Sequence, residues 1–122
     1  MLFISPPFGN LIRFPYTKSI IGTYTLQRRC GNLKEFLKTT YFSTTYNGWV
    51  NKIGLKNKGI YDGLKKYNTE CILNISCFDN DEVKRMNDII PKQTNLEINV
   101  SCPNVKNTRI DIQQFLNEER KC

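Results

Sequence analysis

Between residues 71 and 120 a short apolar run, an amphipathic stretch, a second run and a second amphipathic stretch follow one another, and this order constrains the fold most. CILNISC (71–77) is bounded and apolar, as a strand covered on both faces should be. In FDNDEVKRMNDII, Asp79 is placed to N-cap a helix, with Glu82 three residues on to complete a capping box. Val83, Met86, Ile89 and Ile90 recur at helical spacing, and Pro91 stops the helix. LEINVS then alternates, Leu96, Ile98 and Val100 on one face and Glu97, Asn99 and Ser101 on the other. IDIQQFLNEER (110–120), with Ile110, Ile112, Phe115 and Leu116, predicts another helix. Strands separated by a helix run parallel, because an antiparallel pair would need only a tight turn.

Upstream, TKSIIGTYTLQRR (17–29) predicts a strand passing into extended or hairpin text, NGWVN (47–51) a short strand or loop, and IYDGLKKY (60–67) a short helix. Only seven residues separate Gly9 from Thr17, so the first crossover is minimal. The expected fold is α/β, a partial (β/α)8 TIM barrel of about the first four strand–helix units, since a whole barrel takes about 250 residues.

Several classes are disfavoured. No apolar run approaches the length of a membrane span, and MLFISPPFGN, broken by Pro6 and Pro7, lacks the basic leader of a secretory signal, so the expected location is cytoplasmic. Cysteines at 30, 71, 77, 102 and 122 form no C-x-x-C pair and there is no histidine, so no structural metal site is expected. The net charge of +7 reads as a basic surface spread along lysine- and asparagine-rich text rather than as a nucleic-acid footprint.

After LEINVS comes CPNV: Cys102 precedes Pro103, which biases it to extended backbone, and Asn99 and Asn104 bracket it. The segment LEINVSCPNV resembles the active-site strand and loop of the dihydroorotate dehydrogenase family, in its cysteine-base class. ISPPFGN (4–10), TKS (17–19), NKIGLKNKG (51–59) and CILNIS (71–76) resemble, in order, two flavin-contacting strand ends, the substrate loop and the strand before the cysteine strand. The resemblance implies the N-terminal half of that family's barrel over residues 1–122, with FMN as cofactor and dihydroorotate oxidised to orotate in pyrimidine synthesis. It implies Cys102 as the base taking a proton from C5 of dihydroorotate while hydride leaves C6 for the flavin. A thiol, with a free pKa of about 8.5, suits that task. It assigns the pyrimidine to Asn51, Ile53, Gly54, Leu55, Asn99 and Asn104, and the flavin to Lys18, Ser19, Ser5 and Asn74. An amide offers donor and acceptor together, as an amide-like ring requires.

Partners implied are the missing half of the barrel or a second polypeptide, and a homodimer once complete; the resemblance gives no membrane partner. Lacking the phosphate-binding loops after strands seven and eight, the 122-residue polypeptide alone is expected to hold FMN weakly or not at all and to be inactive. Two rival readings stay open: a non-catalytic remnant, and a small basic nucleic-acid-binding module built on Arg28, Arg29, Lys65, Lys66, Tyr24, Tyr61 and Tyr67.

Overall fold

The structure, a computed structural model, describes residues 1–31, 34, 38–52, 54–100 and 110–115, with the backbone alone for Trp49 and Asn51. Four strands form one parallel sheet: β1 (Leu2–Ile4), β2 (Thr17–Tyr24), β5 (Cys71–Ile75) and β6 (Leu96–Ile98), adjacent in the order in which the chain reaches them. An antiparallel hairpin, β3 (Thr40–Ser43) with β4 (Gly48–Asn51), is inserted between β2 and β5 and pairs Tyr41 with Val50. Helix α1 (Ile60–Lys66) precedes β5, and α2 (Asn80–Ile89) crosses from β5 to β6. The sheet is therefore a parallel half-barrel, the first four strands of a (β/α)8 fold.

The first crossover is as short as the sequence requires. From Ile4 to Thr17 the chain makes a single 3-10 turn, Phe8–Asn10, and no helix. Asn10 takes the place of a strand neighbour: its side chain donates to the Gly22 carbonyl and accepts from the Gly22 N–H, both at 2.8 Å. Gly9 lies so close to β1 and β2 that a Cβ there would overlap the carbonyl oxygens of Ile4 and Ile20.

The core lies between the sheet and its helices. Ile21, Leu73, Ile75 and Leu96 from the strands, Ile60 from α1, and Val83 and Met86 from α2 form one buried cluster with Phe115. In β2 the register slips: Ile21 faces Leu73 but Tyr24 faces Ile75, three residues against two. That extra residue turns Tyr24 to the face of Ile21, where unbroken alternation would have put Thr23. Its ring packs on Gly63 of α1, where an added Cβ would sit 2.7 Å from Tyr24 Cδ2.

Helix α2 begins as the sequence predicts: Asp79 is extended, and its carboxylate accepts from Glu82 N at 2.8 Å. The return bond of the box differs by one residue, because Glu82 Oε2 accepts from Phe78 N at 2.9 Å. Before Pro91, Ile90 turns to ψ 123 and ends the helix.

Two expectations need correction. The last strand stops at Ile98, and Val100, placed with Leu96 and Ile98 by alternation, is 49% exposed. The pairing that would bury it ends with Asn99 N donating to the Ile75 carbonyl at 2.8 Å. In place of a helix, the described part of 110–120 makes a 3-10 turn, Ile112–Phe115, anchored by fully buried Phe115 and by Asp111 N donating to Asn80 Oδ1 at 2.7 Å.

Candidate active site

Alternation along β5 sorts its side chains by chemistry. Cys71, Leu73, Ile75 and Cys77 join the helix-side core, where Cys77 Sγ lies 3.4 Å from Met86 Sδ. Ile72, Asn74 and Ser76 face the other way, into what a closed barrel makes its interior. Asn74 stands opposite Glu97 of β6, and its Nδ2 donates to Glu97 Oε1. Asn74 is 3% exposed, yet its Oδ1 has no partner among the described residues. A buried amide oxygen left unpaired costs about 1–3 kcal/mol, and a donor brought to this side of the sheet would recover that cost.

Ser76 ties the carboxyl ends of three strands together. Its N–H donates to the Tyr24 carbonyl at 2.9 Å and its hydroxyl to the Asn99 carbonyl at 3.1 Å. With Asn99 N held by Ile75, the backbone leading into S-C-P-N is clamped from both sides.

The loop after β4 is fixed by Asn57, which the sequence reading passed over. Its Oδ1 accepts from Thr25 N at 3.2 Å and Gly59 N at 2.7 Å; its Nδ2 donates to the Leu55 carbonyl at 2.8 Å and Thr25 Oγ1 at 3.0 Å. Its backbone exchanges both bonds with Arg29. One amide thus docks the loop against the end of β2. Gly54 (φ 63) and Leu55 (φ 49) take left-handed backbone just before it, and Leu55 is buried. The usable signal was the motif itself, in which an asparagine between lysines two residues before Gly59 reads as an Asx-type turn.

The residues singled out by resemblance divide. Asn74 stands near the carboxyl end of β5 on the interior side, Asn99 follows the carboxyl end of the neighbouring β6, and the Gly54–Leu55 turn is docked to the end of β2. Ser5 follows the carboxyl end of β1 and is exposed. Lys18 and Ser19 need correction: they open β2 instead of closing a strand, opposite Phe3 and Ile4. Because β2 runs on to Tyr24, its carboxyl end carries Gly22, Thr23 and Tyr24. Lys18 lines a cavity of about 640 Å³ with Met1, Tyr16 and Glu70, at the amino end of the sheet. The Ser19 hydroxyl donates to the Ile12 carbonyl at 3.3 Å. Cys102, Asn104 and Ile53 lie outside the described residues, and Asn51 is described by its backbone in β4.

Of the other thiols, Cys77 is a poor base. Burial, then the nearby Glu82 and Asp79 carboxylates, push it up to about 12. Among the described residues no group of three or more potential metal ligands is gathered.

Parallel strands with helices on one face and a polar row at their carboxyl ends on the other define part of a (β/α)8 barrel. The chain belongs to the dihydroorotate dehydrogenase family of oxidoreductases: the family model described as dihydroorotate dehydrogenase matches residues 10–120. Similar relatives are named dihydroorotate dehydrogenase B (NAD(+)), catalytic subunit. That of Brachyspira hyodysenteriae is 38% identical over 109 residues, covering 82% of this chain and 36% of the relative. That of Porphyromonas gingivalis is 36% identical over 97 residues (71% and 30%), and that of Malacoplasma penetrans 32% identical over 110 residues (82% and 36%). The chain spans about a third of the length of these relatives. No solved structure gives a significant match.

Proposed function

We propose that residues 1–122 form the N-terminal half-barrel of an FMN-dependent dihydroorotate dehydrogenase that oxidises dihydroorotate to orotate in pyrimidine synthesis, the barrel being completed by further sequence or a second polypeptide. The observation that carries this is the buried, unpartnered Asn74 oxygen on the interior side of the strands, one strand away from the clamped backbone that enters S-C-P-N.

Of the residues considered for FMN, Asn74 fits, since its orphaned oxygen can accept from a ring N–H, and Ser5 at the end of β1 can add a hydroxyl. Lys18 and Ser19 do not fit, one at the opposite end of the sheet and the other already bonded. FMN, when bound, supplies the hydride acceptor. In this reading Cys102 takes the C5 proton; Asn51, Asn99 and Asn104 orient the pyrimidine by paired donor and acceptor groups; and Ile53, Gly54 and Leu55 offer backbone groups from the loop that Asn57 docks. The relatives' names, a catalytic subunit linked to NAD(+), support a second subunit that carries electrons to nicotinamide. Among the described residues no helix is long and apolar enough to cross a membrane, in keeping with a cytoplasmic enzyme.

Cys102→Ser in the completed enzyme tests the reading through dihydroorotate-dependent flavin reduction in a single turnover near neutral pH. Loss of the general base should slow it about 100-fold or more. A rate within about threefold of the parent removes Cys102 from the mechanism.

A further inference from the structure

The positive charge is not spread evenly. Residues 28–67 hold nine Lys and Arg against two Asp and Glu, an excess of +7 that equals that of the entire chain. The fold then concentrates part of it. Arg28 lies four residues beyond β2, Lys58 stands in the loop before α1, and Lys65 lies in the last turn of α1; the three line one cavity of about 370 Å³ with Tyr61 and Asp62.

The three cations are exposed, and two observations bear on how they are held. Arg29 and Asn57 form an antiparallel bridge, exchanging backbone bonds at 2.9 and 3.0 Å. That register puts Arg28 directly opposite Lys58, on the face where cross-strand side chains come closest, and like charges so placed repel. The cavity's one acidic wall residue is engaged elsewhere, because Asp62 pairs with Lys66 at 2.9 Å. Among the described residues, Arg28, Lys58 and Lys65 make no ion pair. The backbone bridge thus sets these cations around one cavity, with no carboxylate among the described residues paired to them.

We propose that this cavity binds a pyrophosphate-type anion, the polyphosphate of a nucleotide, with the base beside the exposed ring of Tyr61. The site lies between the β2 exit and α1, and the inference does not depend on the proposed dehydrogenase activity. A compact ligand is favoured over a nucleic-acid strand because the other groups a strand would use are committed. Tyr24 is 5% exposed, Tyr67 Oη accepts from Asn95 N, Lys66 is paired, and Arg29 lies 4.8 Å over the Phe78 ring. One exposed tyrosine suits one base, whereas strand binding stacks several in succession.

Calorimetric titration of the full chain with sodium pyrophosphate and with ADP tests this. Both should bind, more weakly as salt rises. Lys58→Gln with Lys65→Gln should weaken both about tenfold, Tyr61→Ala should weaken ADP alone, and Lys84→Gln on α2 should change neither. Absence of binding up to about 10 mM of either anion overturns the proposal. So does equal weakening by Lys84→Gln, or tighter binding of an oligothymidylate of about twelve nucleotides than of ADP.

Discussion

Replacing Asn57 by alanine should undock the loop that the substrate reading depends on. The side chain makes four hydrogen bonds, to Thr25 N, Gly59 N, the Leu55 carbonyl and Thr25 Oγ1, at 2.7 to 3.2 Å. At about 0.5–1.5 kcal/mol each they total about 2–6 kcal/mol. Thr25 and Gly59 are buried, so their N–H groups lose their acceptor with little water to replace it; Asn57 is half-buried, so its donor side can be resolvated. The expected loss is therefore about 2–4 kcal/mol, a large part of the stability of an ordinary domain. Equilibrium urea unfolding measures it, and amide hydrogen exchange at Thr25 and Gly59 localises it. Asn57→Asp keeps the acceptor but not the two donated bonds, so it should lie between parent and alanine. A cost below about 0.5 kcal/mol for Asn57→Ala, or unchanged exchange at both amides, would refute the assignment of the clamp.

Gly9→Ala should destabilise the fold by about 3 kcal/mol, because its Cβ meets two backbone carbonyls that cannot rotate away; an unchanged urea midpoint would contradict the packing of the first crossover. Asp79→Ala should cost about 1 kcal/mol by removing the α2 cap, and Asp79→Asn should restore most of it in the same assay. The Cys77 thiol, raised from 9.0 to about 12, stabilises the fold fully below pH 9 and loses that contribution as pH climbs toward 12; Cys77→Ala should flatten the fall of stability across that window.

Much of the scaffold could be read from patterns of a few residues. Val83, Met86 and Ile90 lie on one helical stripe and Asp79 opens it, so α2 is specified locally and the structure keeps it. The seven residues between Gly9 and Thr17 already leave no room for a helix, and none forms. Other features need partners distant in sequence. Period-two spacing cannot announce an extra residue in β2, yet that residue moves Tyr24 into the core and sets where β2 ends. TKS has the look of a strand end in one dimension, but β2 runs on for eight residues and leaves Lys18 at its beginning. Val100 continues an alternation whose burial depends on a neighbouring strand that has already ended.

By itself, the amino-acid order determined the class of fold, because hydrophobic period, capping residues and proline stops act over one or two turns of chain. It also carried the family's motifs, whose residue types are legible wherever they stand. Tertiary structure alone decided which side chains meet. Asn74 became a buried oxygen without a partner, Asn57 became the peg of a loop, and Arg28 came to face Lys58 across a bridge. Those outcomes follow from strand register and loop docking, which are set by contacts between segments separated by tens of residues.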